Sequence, residues 1–294
     1  MINSGFNNIG LIGRYRGNFN LETLEDIIHF LQSKKINVIL EQETAQALNE
    51  TRFPIVSRDQ LSLHSDLIIV VGGDGSLLGA ARFAINHNVP VLGVNRGSLG
   101  FLTDIRPDEV KTRIGEVLKG HYTEEKRFLL TASIHHDNQL IAHNDALNDV
   151  VLMPGDIPHM IAFDVYINEQ FMCSHKADGI IVATPTGSTA YALSGGGPIL
   201  HPQLDALALV PVFPHKLSSR PIVVNGDSVI KIIINAHNES APRVSCDSQD
   251  RISVPPGGHI RIVKKSQKLR LIHPIGYNYF ETLRSKLGWE TALL

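Results

Sequence analysis

The run Leu67-Ile68-Ile69-Val70-Val71-Gly72-Gly73-Asp74-Gly75-Ser76 constrains this chain more than any other stretch. Its first five residues are apolar and mostly β-branched, the pattern of a strand buried on both faces in a parallel sheet covered by helices. Three glycines and one acid fill the turn, and Leu77-Leu78-Gly79-Ala80-Ala81 then opens a helix. Glycines let backbone N–H groups come close to a ligand, and such groups at a helix start favour anions, phosphate above all. An aspartate is awkward there, because a carboxylate repels phosphate. It either holds a divalent cation that phosphates share or accepts a proton from a hydroxyl. The alternative is a tight strand-to-helix turn with a capping Asp.

The same strand-helix grammar runs through the first part of the chain. Strands are expected at 9–13, 37–40 and 89–95, beside the one at 67–71. Asn20 precedes Leu21, Leu24, Ile28 and Leu31 at helical spacing, and a short polar helix is expected over 43–48. Pro107-Asp108 opens a helix with Val110, Ile114, Val117 and Leu118 on one face. Alternation of this kind implies a doubly wound, Rossmann-like α/β domain over 1–120, with ligands beyond the carboxyl ends of its strands. From Arg127 onward strands dominate, at 128–134, 148–153, 159–167, 179–183, 222–224, 229–234, 259–263 and 268–272. That pattern implies an all-β sandwich of antiparallel sheets over 121–274. Phe280, Leu283 and Leu287 mark a C-terminal helix in 275–294 that packs back on the first domain.

Composition narrows the partners. With 294 residues and a formal charge of −2, the chain has no bulk basic charge for nucleic acid, and no basic run stands out beyond Lys264-Lys265. No stretch of 18 apolar residues occurs, and the N-terminus lacks the pattern of a signal peptide, so no membrane partner is expected. Cys173 and Cys246 have neither metal nor redox spacing and are expected as reduced thiols in a cytoplasmic protein. No P-loop is present, and Gly79 comes one residue too late for a dinucleotide fingerprint begun at Gly73. Ala192 breaks a hydrolase nucleophile elbow at Ser194, and the 14 histidines show no zinc spacing. No protein metal site is therefore expected.

A second distinctive block runs from Asp178 to Pro198: an acid, a buried strand, then hydroxyls, glycines and one tyrosine. Hydroxyls and backbone N–H groups of this kind bind sugar hydroxyls and phosphates, although a polar hairpin would use the same residues. Taken together, Gly72-Gly73-Asp74-Gly75, Asn95-Arg96-Gly97-Ser98-Leu99-Gly100-Phe101-Leu102, Asn148-Asp149, the run from Asp178 to Pro198, Ser245-Cys246-Asp247-Ser248-Gln249 and Leu287-Gly288-Trp289 resemble the bacterial NAD kinase family. The resemblance covers nearly the whole chain in order. The GGDG turn alone also occurs in phosphofructokinases and in diacylglycerol and sphingosine kinases, whereas the run from Thr184 to Pro198 is specific.

The resemblance implies ATP- and Mg²⁺-dependent phosphorylation of the adenosine 2′-hydroxyl of NAD, giving NADP, by a homodimer or homotetramer built largely through the β domain. Asp74 matches the family's proposed catalytic base, with Gly73 and Gly75 beside it at the dinucleotide. Asn148 and Asp149 match an NAD-contacting pair that is more usually Asn-Glu, so the acid here is one methylene shorter. His159, Lys176 and Asp178 fall at dinucleotide positions, Thr189, Ala190, Tyr191, Ala192, Leu193 and Ser194 match the segment that wraps it, and Gln249 matches a further contact. Read without the resemblance, His159 is a structural histidine, Lys176 and Asp178 form a surface ion pair, and Tyr191 is a packed tyrosine. The expected picture is a cleft with the aspartate turn as its floor and the later block as its second wall. Two rivals are a GGDG kinase acting on a lipid or sugar phosphate, and an NADP(H)-binding sensor without chemistry.

Overall fold

The computed structural model describes residues 5–13, 19–95, 100–156, 159–249 and 251–289. The chain divides into two compact units, one of residues 1–126 with 269–294 and the other of 127–268. The expected divisions were 120/121 and 274/275. The observed ones fall inside strands, Tyr122–His136 and His259–Pro274, where no turn residue signals a change of unit.

In the first unit the elements are β1 (Asn8–Gly13), α1 (Phe19–Ser33), β2 (Asn37–Glu41), α2 (Gln42–Leu48), β3 (Ile55–Val56) and α3 (Arg58–His64). They continue with β4 (Leu67–Val71), α4 (Asp74–Ala84), β5 (Val91–Val94) and α5 (Val110–Leu118). All pairings among β1 to β5 are parallel, in the order β5-β4-β1-β2-β3. Alternate residues of each strand face opposite layers. Ile9 and Leu11, Leu67, Ile69 and Val71, with Leu92 and Val94, share a core with Leu24, Ile27, Leu31, Ile114 and Val117 of α1 and α5. On the other face, a Cβ at Gly10 would press on Ser65 and on Leu61 of α3, so glycine lets that helix close on the sheet. Strand order reverses between β1 and β4, which is the topological switch point where such sheets bind ligands. The Gly72–Asp74 turn leaves β4 at that end.

Helix α1 starts at Phe19, so Asn20 lies within its first turn instead of capping it. Helix α3 has no counterpart in the periodicity reading, although Ser57 and Gln60 form a reciprocal capping box at its start. The sequence reads as a polar loop over 14–20; its last two residues belong to α1, and residues 14–18, like Arg96, Gly97, Ser98 and Leu99, lie outside the described part of the chain.

The second unit contains most of β6 (Tyr122–His136), then β7 (Gln139–Ala146), β8 (Asp149–Met153), β9 (Ile161–Ile167), β10 (Gln170–Ala177) and β11 (Gly179–Ala183). After a short α6 (Tyr191–Ser194) come β12 (Ala206–Val212), β13 (Ile222–Asn225), β14 (Ile230–Ile234), β15 (Arg243–Cys246), β16 (Arg251–Ser253) and the first part of β17 (His259–Pro274). One antiparallel sheet runs β13-β12-β11-β8-β15-β16, and β10-β9-β14-β17 with β6 and β7 form the other. Phe163 and Val165 of β9 and Ile230 and Ile232 of β14 share a core with Val150, Leu152, Ile180 and Val182 from the first sheet. This is the expected sandwich. Helix α7 (Tyr279–Leu287) belongs to the first unit and buries Thr282 and Leu283, while Phe280, expected on its packed face, is 55% exposed.

Candidate functional site

In the first unit, Asp74 is the first residue of α4, behind a Gly73 N-cap with no side chain to offer, and its carboxylate does not turn back on the helix. It reaches instead to the Gly100–Thr103 turn. Oδ2 accepts the Phe101 N–H at 3.0 Å, and Oδ1 accepts the Leu102 N–H at 3.0 Å and the Thr103 hydroxyl at 3.2 Å. Thr103 is itself held by the Asn95 amide, which donates to its hydroxyl at 2.8 Å. A Cβ on Gly100 would collide with the Asp74 carboxylate, so only glycine permits this approach. Gly73 and Gly75 differ. Neither takes a left-handed conformation, and a Cβ on either would meet nothing within 4 Å. Neither packing nor backbone geometry requires glycine there, and the space beside both is open. Thr103 is a partner of Asp74 that the motif reading does not name. Its Thr-Asp sequence carries no local signal, and its role arises from a contact 29 residues away.

In the second unit, Asn148 and Asp149 stand at the start of β8 between two fixed segments. Thr184, at the end of β11, donates its hydroxyl to the Leu147 carbonyl at 2.5 Å and its N–H to the Asn148 carbonyl at 2.9 Å. Gly187 sits so close that a Cβ would collide with the Asn148 carbonyl. From the other side the Asp247 carboxylate accepts the N–H groups of Leu147, Asn148 and Asp149 at 2.9, 2.7 and 3.3 Å. Asp149 is only 2% exposed, and burial first, then the Asp247 charge, push its carboxyl up to about 7. Oδ1 of Asn148 and Oδ1 of Asp149 are both buried without a hydrogen-bond partner. Gln249 belongs to the same turn, its carbonyl accepting the Ser245 hydroxyl at 2.7 Å.

The run 184–198 is not a polar hairpin but a single 3₁₀ turn, Gly187–Thr189, followed by α6. Thr189, Ala190 and Leu193 are half-buried, and Tyr191 and Ser194 are exposed. Ala192 points into a small core with Val151, Ile181 and Val210. His159 and Lys176 together line a separate open cavity of about 470 Å³, where His159 Nδ1 lies 3.0 Å from Glu239 Oε2. Asp178 follows β10, its N–H bonded to the Val212 carbonyl, and it makes no ion pair with Lys176. The structure thus brings Asn148, Asp149 and Gln249 together around Asp247 and gathers His159 with Lys176.

Known proteins share this architecture. Yeast NADH kinase, solved in complex with NADH, superposes with a TM-score of 0.89 at 25% identity, covering 98% of this chain and 89% of that one. An NAD kinase from Archaeoglobus fulgidus, at 24% identity and a TM-score of 0.74 over 95% of this chain and 99% of its own, shares the fold. Residues 9–122 match the ATP-NAD kinase N-terminal domain and residues 147–274 the ATP-NAD kinase C-terminal domain. The NAD kinase of Pseudomonas entomophila (strain L48) is 55% identical over 98% of this chain and 97% of its own length. That of Pseudomonas syringae pv. syringae (strain B728a) is 56% identical over the same shares. The chain belongs to the ATP-NAD kinase family.

Proposed function

We propose that the chain catalyses its family's reaction at Asp74, transferring the γ-phosphoryl group of ATP to the adenosine 2′-hydroxyl of NAD to give NADP. The overall activity, NAD kinase, follows from family membership across both halves of the chain. The observation that carries the assignment to Asp74 is its tethered carboxylate beside two glycines that the fold itself does not require.

A ribose hydroxyl is a weak nucleophile at neutral pH, so a carboxylate within hydrogen-bond reach assists the removal of its proton. A carboxylate has roughly four acceptor sites. Phe101, Leu102 and Thr103 occupy three of those on Asp74. The fourth accepts the substrate hydroxyl, and the three tethers stop the side chain from rotating away. Gly73 and Gly75 leave room for the dinucleotide against the helix start, where N–H groups meet phosphate. Asn148 and Asp149 offer unpaired acceptors to N–H and O–H groups of NAD, and Gln249 and the segment from Thr189 to Ser194 complete its binding surface. Lys176 and Asp178 receive its nicotinamide half, and His159 is a further contact to the dinucleotide.

Among the described residues no group of three or more His, Cys, Asp or Glu side chains is placed to hold a metal ion. The Mg²⁺ of this reading would come with the donor, whose phosphates would hold it, and it would neutralise charge on the transferring group. The working form is a homodimer or homotetramer, a reading supported by the exposed apolar side chains Phe171, Phe213 and Leu217 of the β unit. The cytoplasm is the proposed compartment, in keeping with the free thiols of Cys173 and Cys246.

Incubation with NAD, ATP and Mg²⁺, read with an NADP-specific dehydrogenase, tests the reaction. In Asp74→Asn, kcat falls by about 10²–10⁴ while calorimetry finds NAD binding largely kept. An unchanged kcat removes Asp74 from the mechanism.

A further inference from the structure

We propose that Asp247 is a positioning residue for this reaction, its carboxylate fixing the Leu147–Asp149 turn so that the Asn148 and Asp149 side chains stay available to the dinucleotide. The inference rests on the reading above that this pair meets NAD, and it adds a residue to which the motif comparison gave no role.

The turn has three N–H donors, on Leu147, Asn148 and Asp149, and the Asp247 carboxylate accepts all three. Of its three carbonyls, those of Leu147 and Asn148 accept from Thr184, and that of Asp149 accepts the Asp247 N–H at 3.0 Å. Two residues therefore satisfy every backbone polar group of the turn. Asp247 does so from a left-handed conformation, φ +52°, and is 6% exposed. A non-glycine residue in that conformation is uncommon, and it places the side chain squarely over the three donors.

The side chains of the same turn are treated in the opposite way. Oδ1 of Asn148 and Oδ1 of Asp149 are buried and lack partners, beside a backbone with none left unmet. A fold able to satisfy six backbone groups here leaves two adjacent side-chain atoms for something outside itself. Amine and hydroxyl hydrogens, which a nucleoside presents on its base and ribose, fit those atoms.

Asp247 also acts on the state of Asp149. On one flank of Asp149 lie Ala183 and Thr184, and on the other the Cys246-Asp247 turn. The Cys246 thiol points to the Asn144 carbonyl at 3.8 Å, so Asp247 is the charge that faces the Asp149 carboxyl among the described residues. Burial and this charge set the carboxyl near 7. Loss of the Asp247 charge lets Asp149 ionise at lower pH.

Steady-state kinetics of Asp247→Asn, Asp247→Glu and Asn148→Ala test the proposal. In wild type, kcat/KM for NAD has an inflection near pH 7, and in Asp247→Asn it moves to lower pH by about one unit. KM for NAD rises about 10-fold in Asp247→Asn, with KM for ATP unchanged. Asp247→Glu keeps the charge and the inflection but raises KM for NAD, because its carboxylate is displaced from the three N–H groups. A purely structural role would move thermal stability and leave the inflection where it was. Folded variants with wild-type KM for NAD and an unmoved inflection overturn the proposal. Failure of both Asp247 variants to fold overturns it too, by assigning Asp247 to folding alone. If Asn148→Ala leaves KM for NAD unchanged, the reading of the pair as an NAD contact fails first. If wild type makes no NADP, the proposed function fails.

Discussion

Replacing Asp149 by Asn tests the electrostatics of the second unit quantitatively. The carboxyl is raised from its ordinary 3.8 to about 7, chiefly by burial and then by Asp247. A folded-state pKa above the unfolded one means the native chain holds a proton that the unfolded chain has released. Stability from this group is therefore complete below the unfolded pKa and is lost as pH rises through 7. At about 1.4 kcal/mol per pH unit, the full loss is about 4 kcal/mol, a large share of a typical 5–15 kcal/mol total. About 3 kcal/mol of it develops between pH 5 and 8.5, with the remainder already lost by pH 5. Asn is nearly isosteric and does not titrate, so the variant lacks this slope. Urea unfolding of both proteins at several pH values in that range is the assay. The variant's stability relative to wild type should climb by about 3 kcal/mol, a midpoint shift of roughly 1 M or more in urea. Parallel pH profiles for the two proteins would refute the raised carboxyl and the role of Asp247 in raising it.

Other outcomes follow from the same geometry. Gly75→Ala and Gly79→Ala both place a methyl in open space on α4. Each should raise thermal stability by up to about 1 kcal/mol, yet only Gly75→Ala should depress NADP formation; equal activity in both would remove the ligand cradle from Gly75. His273 is fully buried, 2.8 Å from Asp104 and 3.5 Å from Glu125 and stacked on Tyr277. Burial lowers its pKa, but the hydrogen bond to Asp104 and the nearby carboxylate of Glu125 outweigh this and leave it above the ordinary value. Its contribution to stability is thus complete below about 6.5 and lost as pH rises through the folded value. From acidic to alkaline pH the melting temperature should fall further in wild type than in His273→Gln, and an equal fall would sink the assignment.

Much of the architecture was legible from local pattern. The buried run 67–71 and its glycine turn specify a strand leading into a helix, because the residues that make the strand also leave no room for an exposed face. Helical spacing placed Leu24, Ile28, Leu31, Ile114 and Val117 in the core, where they lie. Strands such as Gln170–Ala177 and Ala206–Val212 were not read from the chain, since polar residues or a proline interrupt their pattern and pairing with neighbours decides them. The capping box of α3, Ser57 with Gln60, is a local signal legible in the sequence.

The candidate site divides along the same line. Sequence by itself determined the chemistry on offer: an acid in a glycine turn at the end of a parallel strand, an Asn-Asp pair entering another, and family motifs in order. Such signals act across a few residues, where glycine, charge and apolar spacing have local consequences. Only tertiary structure decided what those groups are tied to. Asp74 is held by N–H and hydroxyl donors 27 to 29 residues away, and the Asn148-Asp149 turn by a carboxylate 98 to 100 residues away. The register of strands paired in space sets those partners, and it raises Asp149 toward neutrality by burying it beside Asp247. No local pattern carries that register, because it is fixed by how whole sheets close over their cores.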